Sequence, residues 1–173
     1  MPVWLSIIIF VVGFILIMFF ISFRKIYKIK EDVDSCYLEL DKYLKKRWEL
    51  LDNFLIVFNK YPNYLRKIEE YSLLDYSKMN IDEKINRNNI LNENLSKLLI
   101  LGQNNPDIKS TSNFLILMDN IQIDRINIDS LSDVFNNKVS VYNEVISKFP
   151  YNIVSKIVGY KEYHLYENKG GIL

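Results

Sequence analysis

From Val3 to Phe23 no side chain is charged and almost all are apolar. At the α-helical rise such a run spans about 30 Å, the thickness of a bilayer's hydrocarbon core. Trp4 and Tyr27 stand near its two ends, where interfacial aromatics are common. Beyond it the pattern becomes periodic. Apolar residues recur at alternating steps of three and four through Ile26, Ile29, Val33, Cys36, Leu40, Tyr43, Leu50, Phe54, Val57 and Tyr61, broken only by Arg47. Tyr37, Leu44, Trp48, Leu51, Leu55 and Phe58 flank this seam, so the stripe is wide enough for a helix that touches more than one neighbour. No Gly or Pro falls between Gly13 and Pro62. The anchor and the first cytoplasmic helix therefore read as one rod, turning near Tyr61 because Pro62 has no amide proton.

A second stretch runs from Asn63 towards Leu101. Asn80 and Glu83 have the spacing of a capping box, which predicts a break and restart near Met79. Gly102 suits a left-handed helix cap and Pro106 closes the turn. The third helix repeats the first pattern through Phe114, Leu117, Ile121, Ile128, Leu131, Phe135, Tyr142, Val145 and Phe149, with Asp124 and Lys138 as polar exceptions. Ser110 or Ser112 is its expected cap, and Pro150 follows its end. Strand signals are absent. The predicted fold is all-α: an N-terminal transmembrane helix continuing into an antiparallel bundle of three long helices, four if the second breaks near Met79. Residues 1–30 read as anchor and basic juxtamembrane segment, 31–160 as the bundle and 161–173 as a tail, with an apolar patch at Ile153, Val154, Ile157 and Val158 inside the bundle's last portion.

Charge gives the apolar run an orientation. Arg24, Lys25, Lys28 and Lys30 follow it, and no Lys or Arg precedes it. Excess basic charge marks the cytoplasmic side, so the expected topology is single-pass with the N-terminus outside and the remainder in the cytoplasm. Phe19, Phe20 and Ile21 are bulky where a signal peptidase needs small residues, which favours an uncleaved anchor. The four basic residues are also expected at the membrane surface, where each attracts anionic headgroups by about 1 kcal/mol.

Formal net charge is only +1, which points away from a nucleic-acid partner. Alanine is missing altogether, a bias that carries no functional meaning. The single cysteine, Cys36, falls in the apolar seam and reads as a small hydrophobe in a reducing compartment. One histidine, His164, is too few for a two-histidine metal site; Glu162, His164 and Glu167 in the tail read as surface residues. No glycine-rich phosphate loop and no nucleophile-base pair stands out. The expectation is a protein without cofactor or enzymatic activity.

Arg47 is the sharpest anomaly, since a guanidinium on an apolar seam needs an acceptor. With the first and third helices taken to run in the same direction, heights counted back from Tyr61 and Phe149 set Arg47 beside Asp133 and Asn136, and Asp124 about three turns lower. The pairs Phe135-Asn136, Tyr142-Asn143 and Phe149-Pro150 recur every seven residues, with rings towards the core and asparagines on an adjacent stripe. Arg47, Asn53, Asp133, Asn136 and Asn143 are thus the candidates for a structural polar layer.

At this repeat the chain resembles the LemA family of bacterial membrane proteins. The family's Arg, Leu and Asn signature is matched by Arg47, Leu50 and Asn53, with Asp52 where the family has proline. Its turn into the next long helix resembles Pro106, Lys109, Phe114 and Leu115. Its paired aromatic-Asn motif resembles Phe135, Asn136, Tyr142 and Asn143, and its ending Phe149, Pro150, Asn152, Gly159 and Tyr160. Two further departures matter: relatives usually have Glu near Arg125 and Arg near Ser132. The resemblance implies one membrane helix, a mostly cytoplasmic helical bundle and no established enzymatic activity. The expected role is an interaction scaffold at the cytoplasmic face of the inner membrane, with the bilayer and either a protein partner or other copies of itself as partners. The alternatives are a signalling or stress-response adaptor of a membrane enzyme such as a protease, and a lipid-binding membrane-shaping protein.

Overall fold

A computed structural model describes residues 2–60, 65–66 and 73–167, and every regular element among them is helical. The first helix, α1, runs Val3–Glu49 without a break, as the absence of Pro and of any Gly after Gly13 allows. At Leu50 the amide is shared between Lys46 O at 3.1 Å and Arg47 O at 3.3 Å, and α2 continues as Leu51–Val57. The turn expected at Tyr61 and Pro62 lies outside the described residues.

A 3-10 turn, Tyr76–Lys78, precedes α3, Ile81–Asn104. The predicted capping box opens α3: the Glu83 amide donates to Asn80 Oδ1 at 2.9 Å and the Asn80 amide to Glu83 Oε2 at 3.0 Å. Pro106 sits in the first turn of a short α4, Pro106–Lys109, where its missing amide proton costs nothing. The long α5 covers Ser112–Ser147. Its start is held by Thr111, whose Oγ1 accepts from the Phe114 amide at 3.4 Å, and not by Ser110 or Ser112. Last comes α6, Tyr151–Val158, which ends at Gly159 with φ of 82°. That glycine takes the left-handed cap assigned above to Gly102. Gly102 lies inside α3 for a different reason: a Cβ there would stand 2.5 Å from Phe114 Cζ, so the position must be empty for the ring to lie against the helix.

The chain divides into two compact units, Met1–Tyr37 with Val134–Leu165 and Leu38–Asp133 with Tyr166–Leu173. In the first, the Tyr37 and Phe135 rings meet at a tilt with centroids 6.0 Å apart, and Ile26, Val33, Val139, Tyr142, Ile146 and Val154 are buried.

In the second unit the contacts give each helix its direction. Asp41 meets Lys84, and the Leu44 carbonyl accepts from Asn88 Nδ2, so α1 and α3 run the same way. Arg47 meets Asp124 and Phe58 meets Phe114, so α5 runs against α1. The up-down-up alternation expected above is therefore corrected. Ahead of α3, Tyr76 lies beside Trp48 with 5.5 Å between ring centroids.

Burial also shifts the predicted stripes. On α1 and α2, Val33, Leu40, Arg47 and Phe54 are buried as expected, but their companions are Tyr37, Leu44, Leu51 and Phe58, while Cys36, Tyr43 and Val57 are only half-buried. On α5 the buried line runs Phe114, Leu117, Ile121, Asp124, Ile128, then Ser132, Phe135, Val139, Tyr142 and Ile146. Leu131 and Val145 are half-buried and Lys138 is exposed, so Lys138 is no exception within a core. A straight helix repeats every 3.6 residues and drifts from a strict heptad by about 20° per heptad. One additional four-residue step, from Ile128 to Ser132, absorbs that drift.

Candidate functional site

The apolar start of α1 is the one helix among the described residues that is long and apolar enough to cross a membrane. Its side chains are largely open to the surroundings, unlike those of a core helix: Val3 and Phe10 are each 76% exposed and Ile17 is 61% exposed. Burial begins one residue after Ile21, at Ser22, and continues at Ile26. Arg24, Lys25 and Lys28 are exposed and Lys30 is half-buried. Lys25 Nζ donates to the Tyr151 hydroxyl at 3.1 Å and lies 4.8 Å from that ring's centroid. Lys30 behaves differently from the other three. It pairs with Asp34 at 2.6 Å and approaches the rings of Tyr160 and Tyr163 at 5.9 and 5.6 Å. Burial acts to lower its pKa, but the hydrogen bonds with Asp34 and Tyr163 together outweigh that and raise it.

Around Lys30 the segment after α6 is fastened by side chains. Asn143 Nδ2 donates to the Tyr163 carbonyl at 2.8 Å, and the Tyr163 amide donates back to Asn143 Oδ1 at 3.0 Å. The Tyr142 hydroxyl donates to the Lys161 carbonyl at 3.2 Å, and the Tyr163 hydroxyl donates to Asp34. Burial pushes the Tyr142 phenol up to about 12, and burial followed by the Asp34 hydrogen bond raises that of Tyr163. Asn143 was expected to bond across helices. Instead its amide satisfies one backbone amide and one carbonyl of a segment outside any regular element.

In the second unit Arg47 is 2% exposed and its Nε donates to Asp124 Oδ2 at 2.9 Å. The partner inferred from heptad heights, Asp133 or Asn136, is corrected: Asp133 is exposed and Asn136 half-buried. The helix directions explain the difference, because heights matched for parallel helices invert when α5 runs against α1. Asp124 is fully buried, and its carboxyl is raised by burial against the opposing charge and hydrogen bond of Arg47. Asn53 is exposed and lines a shallow groove with Ile56, Asn113, Ile116 and Asn120, away from the Arg47 pair. The proposed polar layer is thus scattered, with Arg47 joined to a residue outside the candidate set.

Asp124 was legible as a charge on an apolar stripe, and only the assumed helix direction removed it from consideration. Asp34 and Tyr163 were missed for want of any local signal, since 129 residues separate them in sequence. Glu162, His164 and Glu167 are all exposed, and no group of three metal-ligating side chains converges among the described residues. Two shallow grooves, one around Asn53 and Asn113 and one around Asn92 and Gln122, are lined mainly by amide and aliphatic side chains.

Comparison with curated proteins and with solved structures found no match. A family comparison did: residues 37–171 match the LemA family, so the chain belongs to that family.

Proposed function

We propose that this chain is a non-enzymatic membrane-anchored protein that acts as an interaction scaffold at the cytoplasmic face of a bacterial inner membrane. Residues 1–30 would serve as anchor, 31–160 as the helical body and 161–173 as the tail. The observation that carries this reading is the sharp boundary on α1: exposed apolar side chains up to Ile21, then Arg24, Lys25 and Lys28 exposed with no basic residue on the other flank. The long helices support a scaffold because they offer extended surfaces with shallow grooves. The partner is another protein or a second copy of this chain.

Topology is tested by a cysteine at Glu167 in a Cys36→Ser background. It should resist a membrane-impermeant thiol reagent in intact cells and react after permeabilisation. Ready labelling of intact cells would reverse the orientation. The scaffold role is tested by crosslinking in intact cells: recovery of one defined protein, or of crosslinked copies of the chain, is the expected result. A chain that crosslinks to nothing but lipid would remove the scaffold reading.

A further inference from the structure

We propose that α6, with Phe149 just before it, is a second membrane-contacting element that lies in the headgroup zone beside the anchor and binds anionic lipid. The proposal rests on the anchor reading of α1. It starts from exposure: Phe149 is 77% exposed, Ile153 50% and Ile157 67%, whereas Val154 and Ser155 of α6 are buried. Ile153 and Ile157 are one helical turn apart and so share a face, with Lys156 beside them. Three large apolar groups are thus exposed on one short helix and its entry.

The place of this helix identifies what covers the patch. Tyr151, its first residue, is bound to Lys25, which stands two residues past the uncharged run. The exposed face of α6 therefore begins at the level where the apolar side chains of α1 give way to basic ones. If the first surface enters a bilayer, the second reaches its boundary. The charges match a lipid surface too. Arg24 and Lys28 are exposed around this level and Lys156 is exposed on α6, while the acidic Glu31 and Asp32 come later along α1. A short amphipathic helix with a basic rim lies in the interface plane with its apolar face about 5–10 Å into the headgroup boundary. Lys25, held against Tyr151 by both a hydrogen bond and the ring face, fixes the helix to the anchor at that depth.

The test uses the full-length chain in a Cys36→Ser background, reconstituted into vesicles of phosphatidylglycerol and phosphatidylcholine. Single cysteines at Val12, Ile157 and Leu165 carry an environment-sensitive fluorophore, and lipids brominated at shallow or deep chain positions act as quenchers. The fluorophore at Val12 should be quenched mostly by deep bromines and that at Ile157 mostly by shallow ones. Leu165, also exposed, lies past the Tyr163 contact with Asp34, about 13 Å further along α1 than Lys25, and should be quenched by neither. Replacing phosphatidylglycerol by phosphatidylcholine should reduce quenching at Ile157 several-fold and leave Val12 unchanged. Quenching at Val12 with none at Ile157 would overturn the interfacial helix while leaving the anchor standing. No quenching at Val12 would overturn the anchor reading and this proposal with it. Full quenching at Ile157 without anionic lipid would overturn the headgroup assignment.

Discussion

Arg47 Nε donates to Asp124 Oδ2 at 2.9 Å across 77 positions of sequence, and both side chains are withdrawn from solvent. Neither charge could be buried alone without losing several kcal/mol of hydration, so each is the condition for the other's place in the core. The pair also records that α5 descends where α1 rises.

The pair acts as a unit. Arg47→Leu alone leaves a buried carboxylate without its cation and should cost about 3–5 kcal/mol. Adding Asp124→Leu should recover most of that loss, as measured by chemical unfolding of the full-length chain in detergent. Simple additivity of the two single changes would show that they are independent.

The acid dependence of stability follows from the Asp124 carboxyl, which burial raises above its ordinary value of 3.8 even with Arg47 opposing. The folded state then holds this proton more tightly than the unfolded chain does. Its contribution to stability is greatest below 3.8 and falls as pH rises through the higher folded-state value. Asp124→Asn removes the titration. The stability of the native chain relative to that variant should therefore decline over this window and level off above it. A relative gain with rising pH would mean that Arg47 outweighs burial.

Two rings of one heptad repeat should respond oppositely. Phe135 is fully buried and Phe149 is 77% exposed. Phe135→Ala should cost about 3–5 kcal/mol and Phe149→Ala about 0.5 kcal/mol or less in detergent unfolding. Equal losses would place Phe149 back in the core.

Gly102→Ala places a methyl group into the Phe114 ring, whose side chain is fully buried. Overpacking of this kind costs about 1–3 kcal/mol, against a gain in helix propensity of up to about 1 kcal/mol. A net drop in melting temperature is expected, and Phe114→Leu in the same chain should relieve part of the strain. A rise on Gly102→Ala alone would show that the ring moves aside freely.

Asn143→Leu removes both hydrogen bonds to the Tyr163 backbone, each contributing about 0.5–1.5 kcal/mol. Amide exchange at Tyr163 should quicken while the core amides of α5 near Tyr142 stay protected. Unchanged exchange at Tyr163 would mean that the Tyr163 hydroxyl and Asp34 hold the segment without Asn143.

Local features were read correctly where their causes are local. The α3 capping box needs only Asn80 and Glu83, and the restart near Met79 follows from it. The uninterrupted α1 needs only the absence of Pro and internal Gly, and the apolar run needs only its own side chains. Periodicity located the stripes on α1 and α5 but not their exact flank. A sequence pattern of threes and fours cannot distinguish a 3.5 from a 3.6 repeat over two turns, and only packing against a neighbour selects Leu44 over Tyr43 or Ser132 over Leu131.

What the sequence by itself determined was helical class, the apolar run and its basic flank, and the element edges marked by Asn80, Glu83 and Pro106. Each of these follows from residues within a few positions of one another, acting through hydrogen bonds and hydrophobic spacing along a single helix. Tertiary structure alone decided that α3 runs with α1, that Arg47 faces Asp124, that Gly102 makes room for Phe114 and that Asn143 holds Tyr163. Those outcomes depend on which faces the intervening turns bring together, and the periodicity of an isolated helix is the same whichever way its neighbour runs.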